Sequence, residues 1–246
     1  MDFLIKLTFI MKFFLLILAL SFSLIGCSSI EIEAVSSSEE ETQRILSLGL
    51  SHEDNIIEAK KLKSDHLISV VTLQLVNARD AKLKYQNDLI ESEKIARMVL
   101  VSDNGMSFIG PKISNTLADI MNTSPVSQSY FLESSKSLNN EVFRHKIQLI
   151  YSYNASKPRG FKAANLCDDW GRCETLIQLI GESSVSFSNC STTNCNYTEV
   201  FEIDLSDKLL RDSIQKGLRM ELISNKKTDK LNLSVAYLMG YFNVVQ

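Results

Sequence analysis

A run of strict alternation in the second half of the chain constrains the fold more than any other feature of the sequence. Between residues 143 and 153, one side of the alternation carries Phe143, His145, Ile147, Leu149, Tyr151 and Tyr153, and the other carries Arg144, Lys146 and Gln148. Successive side chains of a β-strand point to opposite faces of its sheet, so this pattern predicts a long strand with one buried face. Residues 197–205 alternate in the same way and predict a second such strand.

Further short β-like runs, separated by turn-forming residues, cover residues 173–180, 185–188, 218–223, 231–235 and 237–245. Ser206 before residues 207–216 and Gly217 after them predict a capped helix. The predicted class is therefore α+β, mainly β with minor helix, with an antiparallel β-sandwich in the C-terminal half. An immunoglobulin-like arrangement is a fold analogy for such a sandwich.

The preceding part of the chain is harder to interpret and predicts a mixed α/β region. Its predicted elements are a capped helix near residues 51–62, a buried strand over Leu67–Val76, a helix or a polar hairpin over 78–94, a hairpin over 96–109 that turns at Asp103-Asn104-Gly105, and a short helix over Ser114–Met121. Pro125 suggests a boundary between the two regions.

Four cysteines, Cys167, Cys173, Cys190 and Cys195, form two closely spaced pairs. The intervening residues favour turns, and an even number of cysteines in an exported chain predicts disulfides. We favour two local bridges, Cys167–Cys173 and Cys190–Cys195, although the spacing alone leaves the crossed pairings open. A zinc site made of all four thiolates is the alternative, but a spacing of five residues lies outside the usual range for such sites.

A fifth cysteine, Cys27, follows an apolar run near the N-terminus that starts after Lys12. A positive start, an apolar stretch and a small residue before the cleavage point are typical of a secretory signal. The segment Leu24-Ile25-Gly26-Cys27 resembles the lipobox of bacterial lipoproteins. This resemblance covers about the first tenth of the chain. It implies that residues 1–26 are removed, that the Cys27 thiol receives a diacylglycerol and that the chain needs no membrane-spanning helix.

Alternatives remain for this leader. Residues 7–25 approach the length of a membrane-spanning helix and would then be an uncleaved anchor. Translation from Met11 gives a clear positive start, whereas the charges after Met1 cancel, so we expect Met11 to be the true start. Ser28 after the lipidated cysteine resembles the signal for release to the outer membrane, facing the periplasm, in a Gram-negative cell.

Charge and composition divide the mature chain further. The chain has 45% hydrophobic and 22% charged residues, which fits a globular protein and excludes a disordered or multi-spanning one. Five glutamates and one arginine give residues 28–44 a net charge of −4, so residues 27–44 are predicted to be an acidic tether. The last glutamates could instead start a helix. Residues 45–129 would then be the mixed region and 130–246 the disulfide-containing sandwich.

The sequence contains no recognisable catalytic motif, so no catalytic or metal-ligating residue and no cofactor is predicted. His145 lies on the apolar face of its predicted strand and is expected to be buried with a hydrogen-bond partner, whereas His52 and His66 are expected to be exposed. The candidate binding tip is the disulfide-closed loop that holds Asp168, Asp169, Trp170 and Arg172. Alternatively, Trp170 folds back over the end of the sandwich.

These features predict a lipid-anchored protein of the cell envelope whose β-rich domain is a non-enzymatic binding or structural module. The expected partners are the membrane, through the lipid on Cys27, and another envelope protein or a glycan. The charge pattern lacks the basic surface of a nucleic-acid binder, so no nucleic acid is expected. The alternative function is an envelope hydrolase or a glycan-binding protein that uses the loops between Cys167 and Cys195.

Overall fold

The computed structural model describes residues 37–117, 126–137, 142–168, 170–224 and 228–245, apart from the side chains of 117 and 174–183. The predicted leader, Cys27 and Asp169 lie outside these ranges. The helices are α1 (37–47), α2 (His52–Ala59), α3 (Asp65–Met98), α4 (Asp207–Asp212) and α5 (Val235–Phe242). The strands are β1 (Leu100–Val101), β2 (Ser107–Ile109), β3 (Ile113–Leu117), β4 (Val126–Lys136), β5 (Phe143–Ala155), β6 (Ala163–Cys167), β7 (Cys173–Ser188), β8 (Cys195–Leu205), β9 (Leu218–Ile223) and β10 (Thr228–Leu233).

The chain divides into two compact units, Met1–Tyr85 and Gln86–Gln246. In the first unit, a small apolar cluster unites α1, α2 and the start of α3; its buried members are Ile45, Ala59, Val71 and Leu75. Ser38 and Thr42 are buried on the same side of α1 as Ile45, at four- and three-residue spacing. Residues 37–44 are therefore helical and not a solvated tether, as the alternative for the last glutamates suggested.

The predicted strand at Leu67–Val76 is wrong, because these residues belong to α3. Val71 and Leu75 are one helical turn apart, and both are buried against the cluster of the first unit. This tertiary packing outweighs the β-propensity of the Val-rich run. Residues 78–94, for which a helix or a hairpin was predicted, also lie in α3. No helix within the described ranges is both long and apolar enough to cross a membrane.

The second unit contains the antiparallel strands, in the order β1-β2-β4-β5-β8-β7-β6-β9-β10, with β3 also paired to β4. Strand β7 joins the two sheets: its first part pairs with β6 and its last part with β8. It pairs with β6 up to Gln178 and with β8 from Leu179 onward, and its register with β8 shifts between Ile180 and Ser184. The predicted α+β class with an antiparallel β core is confirmed, whereas the immunoglobulin-like analogy stays a prediction.

The alternation that predicted β5 is confirmed in its burial. Ile147, Leu149 and Tyr151 are fully buried, and the intervening residues are partly exposed. The predicted helix at Ser114–Met121 is wrong, because residues 113–117 form β3 and pair with β4 along their whole length. The predicted domain boundary after residue 129 falls within β4, so the sheet already includes strands that precede it.

The C-terminal run of apolar residues, predicted as β-like over 237–245, forms α5 instead. Its buried residues recur at helical spacing; they are Ala236, Tyr237, Leu238, Gly240, Tyr241 and Phe242. The side chain of Ser234 caps the helix by accepting a 3.1 Å hydrogen bond from the N–H of Tyr237. The backbone of Ser92 in α3 would clash with a Cβ atom at residue 240, so glycine permits this close approach of the two helices.

His145 is buried with hydrogen-bond partners, as predicted. Its Nδ1 lies 2.5 Å from the Ser134 hydroxyl, and its Nε2 lies 3.0 Å from the Asp207 carboxylate. Tyr241 completes the line by donating to the Ser134 oxygen at 2.6 Å. Burial lowers the pKa of His145 below its ordinary value, because desolvation disfavours the charged ring more than Asp207 favours it. His66 is exposed, as predicted, but His52 is half-buried.

We expect the stability of the folded protein to depend on the protonation of His145. Because its pKa is lower in the folded chain than the ordinary 6.5, the unfolded chain takes up the proton first. The stability that depends on the neutral ring is complete above about pH 6.5 and declines as the pH falls through the lowered pKa. Urea unfolding at a series of pH values measures this. His145→Gln should lack this decline and His66→Gln should keep it; an unchanged decline in H145Q would contradict the assignment.

Candidate functional site

Two disulfides close neighbouring hairpins of the second unit. Cys167 is bonded to Cys173 across the β6–β7 turn, and Cys190 is bonded to Cys195 across the β7–β8 turn. The predicted local pairing is confirmed, and the zinc alternative is wrong because all four sulfurs are in disulfides. Disulfides of this kind indicate a protein outside the reducing cytoplasm.

The β6–β7 turn, residues 168–172, is the predicted binding tip, and Asp168 holds its shape. One oxygen of the Asp168 carboxylate accepts 2.9 Å hydrogen bonds from the backbone N–H groups of both Trp170 and Arg172. The other oxygen accepts from the Arg172 guanidinium, at 2.8 Å from Nε and 2.7 Å from Nη2. Gly171 supplies a positive φ of 79° between them, which a side chain would disfavour. The tip is thus closed by a disulfide and tied internally.

These contacts also determine the ionisation of Asp168. The backbone N–H of Arg172, followed by its guanidinium, lowers the pKa of the Asp168 carboxyl from its ordinary value despite some desolvation. Asp168 is therefore an ionised acceptor that is fully engaged within the turn at neutral pH. Asp168 and Arg172 were predicted as binding residues, but their principal contacts are with each other.

The Trp170 side chain is not covered by this framework. Its side chain is 87% exposed, so it does not fold back over the end of the sandwich. Tryptophan has a large apolar surface that is usually at least partly covered in a folded protein. The tip therefore presents a single large aromatic side chain to the surroundings.

A cleft of about 370 Å³ lies at the base of the tip. Its lining residues come from the tip, from α4 with the turn that follows, and from β9; they are Leu166, Cys167, Asp168, Arg172, Leu209, Ser213, Lys216, Gly217, Leu218 and Arg219. Arg219 reaches this position because β6 and β9 are antiparallel partners in which Cys167 lies directly opposite Arg219. The disulfide at the root of the tip therefore also borders the cleft.

Helix α4 contributes Leu209 to the lining of the cleft. Ser206 caps this helix, as predicted, by accepting a 3.2 Å hydrogen bond from the N–H of Leu209. The helix ends at Asp212, earlier than the predicted residue 216. Gly217 then turns the chain into β9 with a φ of 80°, and a Cβ atom there would lie 2.9 Å from the carbonyl oxygen of Leu233. This turn brings Lys216 and Arg219 to the cleft.

The described lining has a positive balance, with Arg172, Lys216 and Arg219 against the single carboxylate of Asp168. Lys216 and Arg219 were not predicted as site residues. They lie more than 40 residues after the tip in the sequence, and only the pairing of β6 with β9 brings them near it. No sequence motif near Lys216 or Arg219 indicates that they belong to a site.

A second polar cluster, formed by Ser134, His145 and Asp207, has the composition of a hydrolytic triad. Ser134 is only 1% exposed, and its oxygen is already engaged by both His145 and Tyr241. The His145 ring packs against Phe143 and Phe242, at centroid distances of 5.8 and 5.7 Å. We therefore interpret Ser134 and His145 as core residues, with the partly exposed Asp207 at the edge of the core.

A third polar group, Glu199, is a fully buried carboxylate with structural partners. It accepts hydrogen bonds from the Tyr153 hydroxyl and from the backbone N–H groups of Arg159, at 2.7 Å, and Gly160, at 3.2 Å. Desolvation first, and then the bond to Glu199, raise the pKa of Tyr153, so its proton stays in place. Glu199 thus fixes the loop before β6. No group of side chains suited to hold a metal ion occurs among the described residues.

The contacts of Asp168 predict how its variants affect the motion of Trp170, the only tryptophan in the chain. Asp168→Ala removes both backbone hydrogen bonds and the ion pair, so fast depolarisation of the Trp170 fluorescence should increase. Asp168→Asn keeps an oxygen that can accept from the two N–H groups, so its depolarisation should stay close to that of the wild type. Time-resolved anisotropy measures both variants, and an unchanged decay in D168A would show that the disulfide alone orders the tip.

No protein family, curated protein or solved structure matches the chain, so the side chains of the tip and the cleft are the basis for inferring its function.

Proposed function

We propose that this protein is a non-enzymatic binding module of the cell envelope, anchored by lipid on Cys27, and that it contacts its partner with the tip that bears Trp170. The observation that carries this proposal is the 87% exposure of Trp170 on a turn fixed by a disulfide and by Asp168. Exposed tryptophans in fixed positions are frequent anchors of binding interfaces.

The magnitude of the effect supports binding. Covering a tryptophan side chain removes about 150–250 Å² from water. At about 25 cal/mol per Å², this burial contributes roughly 4–6 kcal/mol to association before entropic costs. Those costs are reduced here because the backbone of the turn is ordered before the partner arrives. A flexible loop with the same tryptophan would retain less of this free energy.

The proposed location is supported by two independent features of the chain. The two disulfides indicate an oxidising compartment. The segment Leu24-Ile25-Gly26-Cys27 resembles a lipobox directly after an apolar run. Several acyl chains on one residue hold a protein stably on a membrane, whereas a single chain binds only marginally. In a Gram-negative cell, Ser28 favours the outer membrane.

The cleft favours binding over hydrolysis. Glycoside hydrolysis needs two carboxyl groups placed on either side of the scissile bond. Among the described lining residues only Asp168 has a carboxylate, and both of its oxygens are bound to the N–H groups of the tip. A carboxylate engaged in this way supports the structure of the turn.

The lipid anchor predicts a specific mass and a specific loss. The N-terminal peptide of the purified protein should begin at Cys27 and carry the added mass of a diacylglycerol, with or without an amide-linked acyl chain. Cys27→Ser should abolish this modification and leave residues 1–26 uncleaved. Mass spectrometry of both proteins is the measurement, and an unmodified Cys27 in the mature wild type would refute the anchor.

The binding role of the tip predicts the loss of a partner without a loss of stability. Trp170→Ala should abolish or strongly reduce the capture of envelope components by affinity purification from crosslinked cells, while the melting temperature stays unchanged. Phe187→Ala is the matched control, because Phe187 is also an exposed aromatic residue near a disulfide-closed hairpin. Equal capture by W170A and the wild type would count against the tip as the contact surface.

A further inference from the structure

We propose that the ligand of this site is a glycan that carries carboxylate groups, and that a carboxylate occupies the cleft while a sugar ring stacks on Trp170. This inference rests on the proposed binding function of the tip and specifies the chemistry of its ligand. Four features of the described residues support it: the continuity of the tip and cleft, the charge of the cleft, its size and its apolar lining residues.

The tip and the cleft are one continuous surface. Asp168 and Arg172 belong to both, since they form the turn under Trp170 and also line the cleft. Arg219 lies opposite Cys167 in the adjacent strand. Trp170 is two residues from both Asp168 and Arg172, so its Cα atom lies within about 8 Å of theirs, which a short oligosaccharide can span.

The charge of the cleft selects an anion. Its described lining carries three cationic side chains, Arg172, Lys216 and Arg219, and one carboxylate. Asp168 and Arg172 pair with each other, so the excess positive charge of the described lining comes from Lys216 and Arg219. Charge-assisted hydrogen bonds from cationic side chains to a carboxylate are about twice as strong as neutral ones. A neutral sugar could not form an ion pair with these cationic side chains.

Size and polarity favour a sugar unit over a membrane surface. A volume of about 370 Å³ falls at the lower end of the range for small-molecule sites, roughly 300–1,000 Å³. Leu166, Leu209 and Leu218 also line the cleft, so its lining combines cationic and apolar side chains. Such a concave, mixed lining suits the two faces of a sugar ring, whereas a bilayer offers a flat array of phosphates.

The single tryptophan of the chain makes the test direct, because the intrinsic tryptophan fluorescence comes from Trp170 alone. The full-length protein in detergent is titrated with a trisaccharide of galacturonic acid, with the neutral trisaccharide maltotriose, and with glycerol 3-phosphate as the headgroup of an anionic lipid. We expect a saturable change in emission with the uronate trisaccharide, weakened by added salt, and little or no change with maltotriose.

Two variants and one control locate the anion. Lys216→Gln and Arg219→Gln should each weaken uronate binding about tenfold or more, the usual effect of losing one charge-assisted hydrogen bond. Lys208→Gln is the matched control, because Lys208 lies on α4 and pairs with Asp212 without lining the cleft. Melting curves of all three variants show that the fold is retained.

Each outcome decides the proposal. Equal binding of maltotriose and the uronate, or wild-type affinity in both K216Q and R219Q, overturns the anion site. Tighter binding of glycerol 3-phosphate than of the uronate overturns the glycan in favour of a lipid headgroup. No emission change with the uronate overturns the ligand class. In the capture experiment, loss in W170A with full capture by K216Q and R219Q would refute only this inference, whereas full capture by W170A would refute the binding tip itself.

Discussion

The hydroxyl of Tyr237 closes a gap in the sheet that the backbone cannot close itself. Strand β4 pairs with β3 up to Tyr130 and with β2 from Glu133 onward, so its partner changes at the residues between. There the Gly110 N–H donates to the Leu132 carbonyl at 2.8 Å, and the Leu132 N–H donates to the Tyr237 hydroxyl at 3.1 Å. That hydroxyl in turn donates to the Pro111 carbonyl at 3.0 Å.

A buried N–H group without a partner costs roughly 1–3 kcal/mol, so the bond from Leu132 to Tyr237 ties the position of α5 to the course of the sheet. A Cβ atom at residue 110 would clash with the Tyr237 hydroxyl, which explains the glycine there.

The elements that the sequence predicted correctly are those whose burial follows from local periodicity. In β5, buried and partly exposed residues alternate as the sequence pattern predicted, and the two disulfides join cysteines that are close in sequence. Two of the errors, at residues 67–76 and 237–245, occurred where apolar residues are so dense that both a helical and a strand period fit. Residues 67–76 are rich in β-branched side chains, which favour a strand. The buried residues Val71 and Leu75 are nevertheless four positions apart, which is the helical repeat. In α5, the buried positions 237, 238, 241 and 242 also follow that repeat, and Ser234 offers a cap that could have been recognised.

The candidate site likewise has one part that local sequence could predict and one part that it could not. The tip was predictable because its disulfide, its turn residues and its tryptophan are contiguous in the sequence. Its internal hydrogen bonds were not predictable, and they show that Asp168 and Arg172 support the structure of the turn. The cleft depends on the long-range pairing of β6 with β9 and on the turn at Gly217. Such a register is set by the packing of whole strands, so no short segment around Lys216 or Arg219 could show where these side chains lie.

The energetics of the tip separate its structural role from its binding role. On loop-closure arguments, bridging a loop this short stabilises the chain by about 2–3 kcal/mol. The Asp168 carboxylate adds order within the turn, because it satisfies N–H groups that would otherwise face water. Neither effect involves the indole of Trp170, which is almost fully exposed and so gains little from folding. The favourable free energy of covering that indole therefore remains for association, and the ordered backbone beneath it limits the entropy that association must lose.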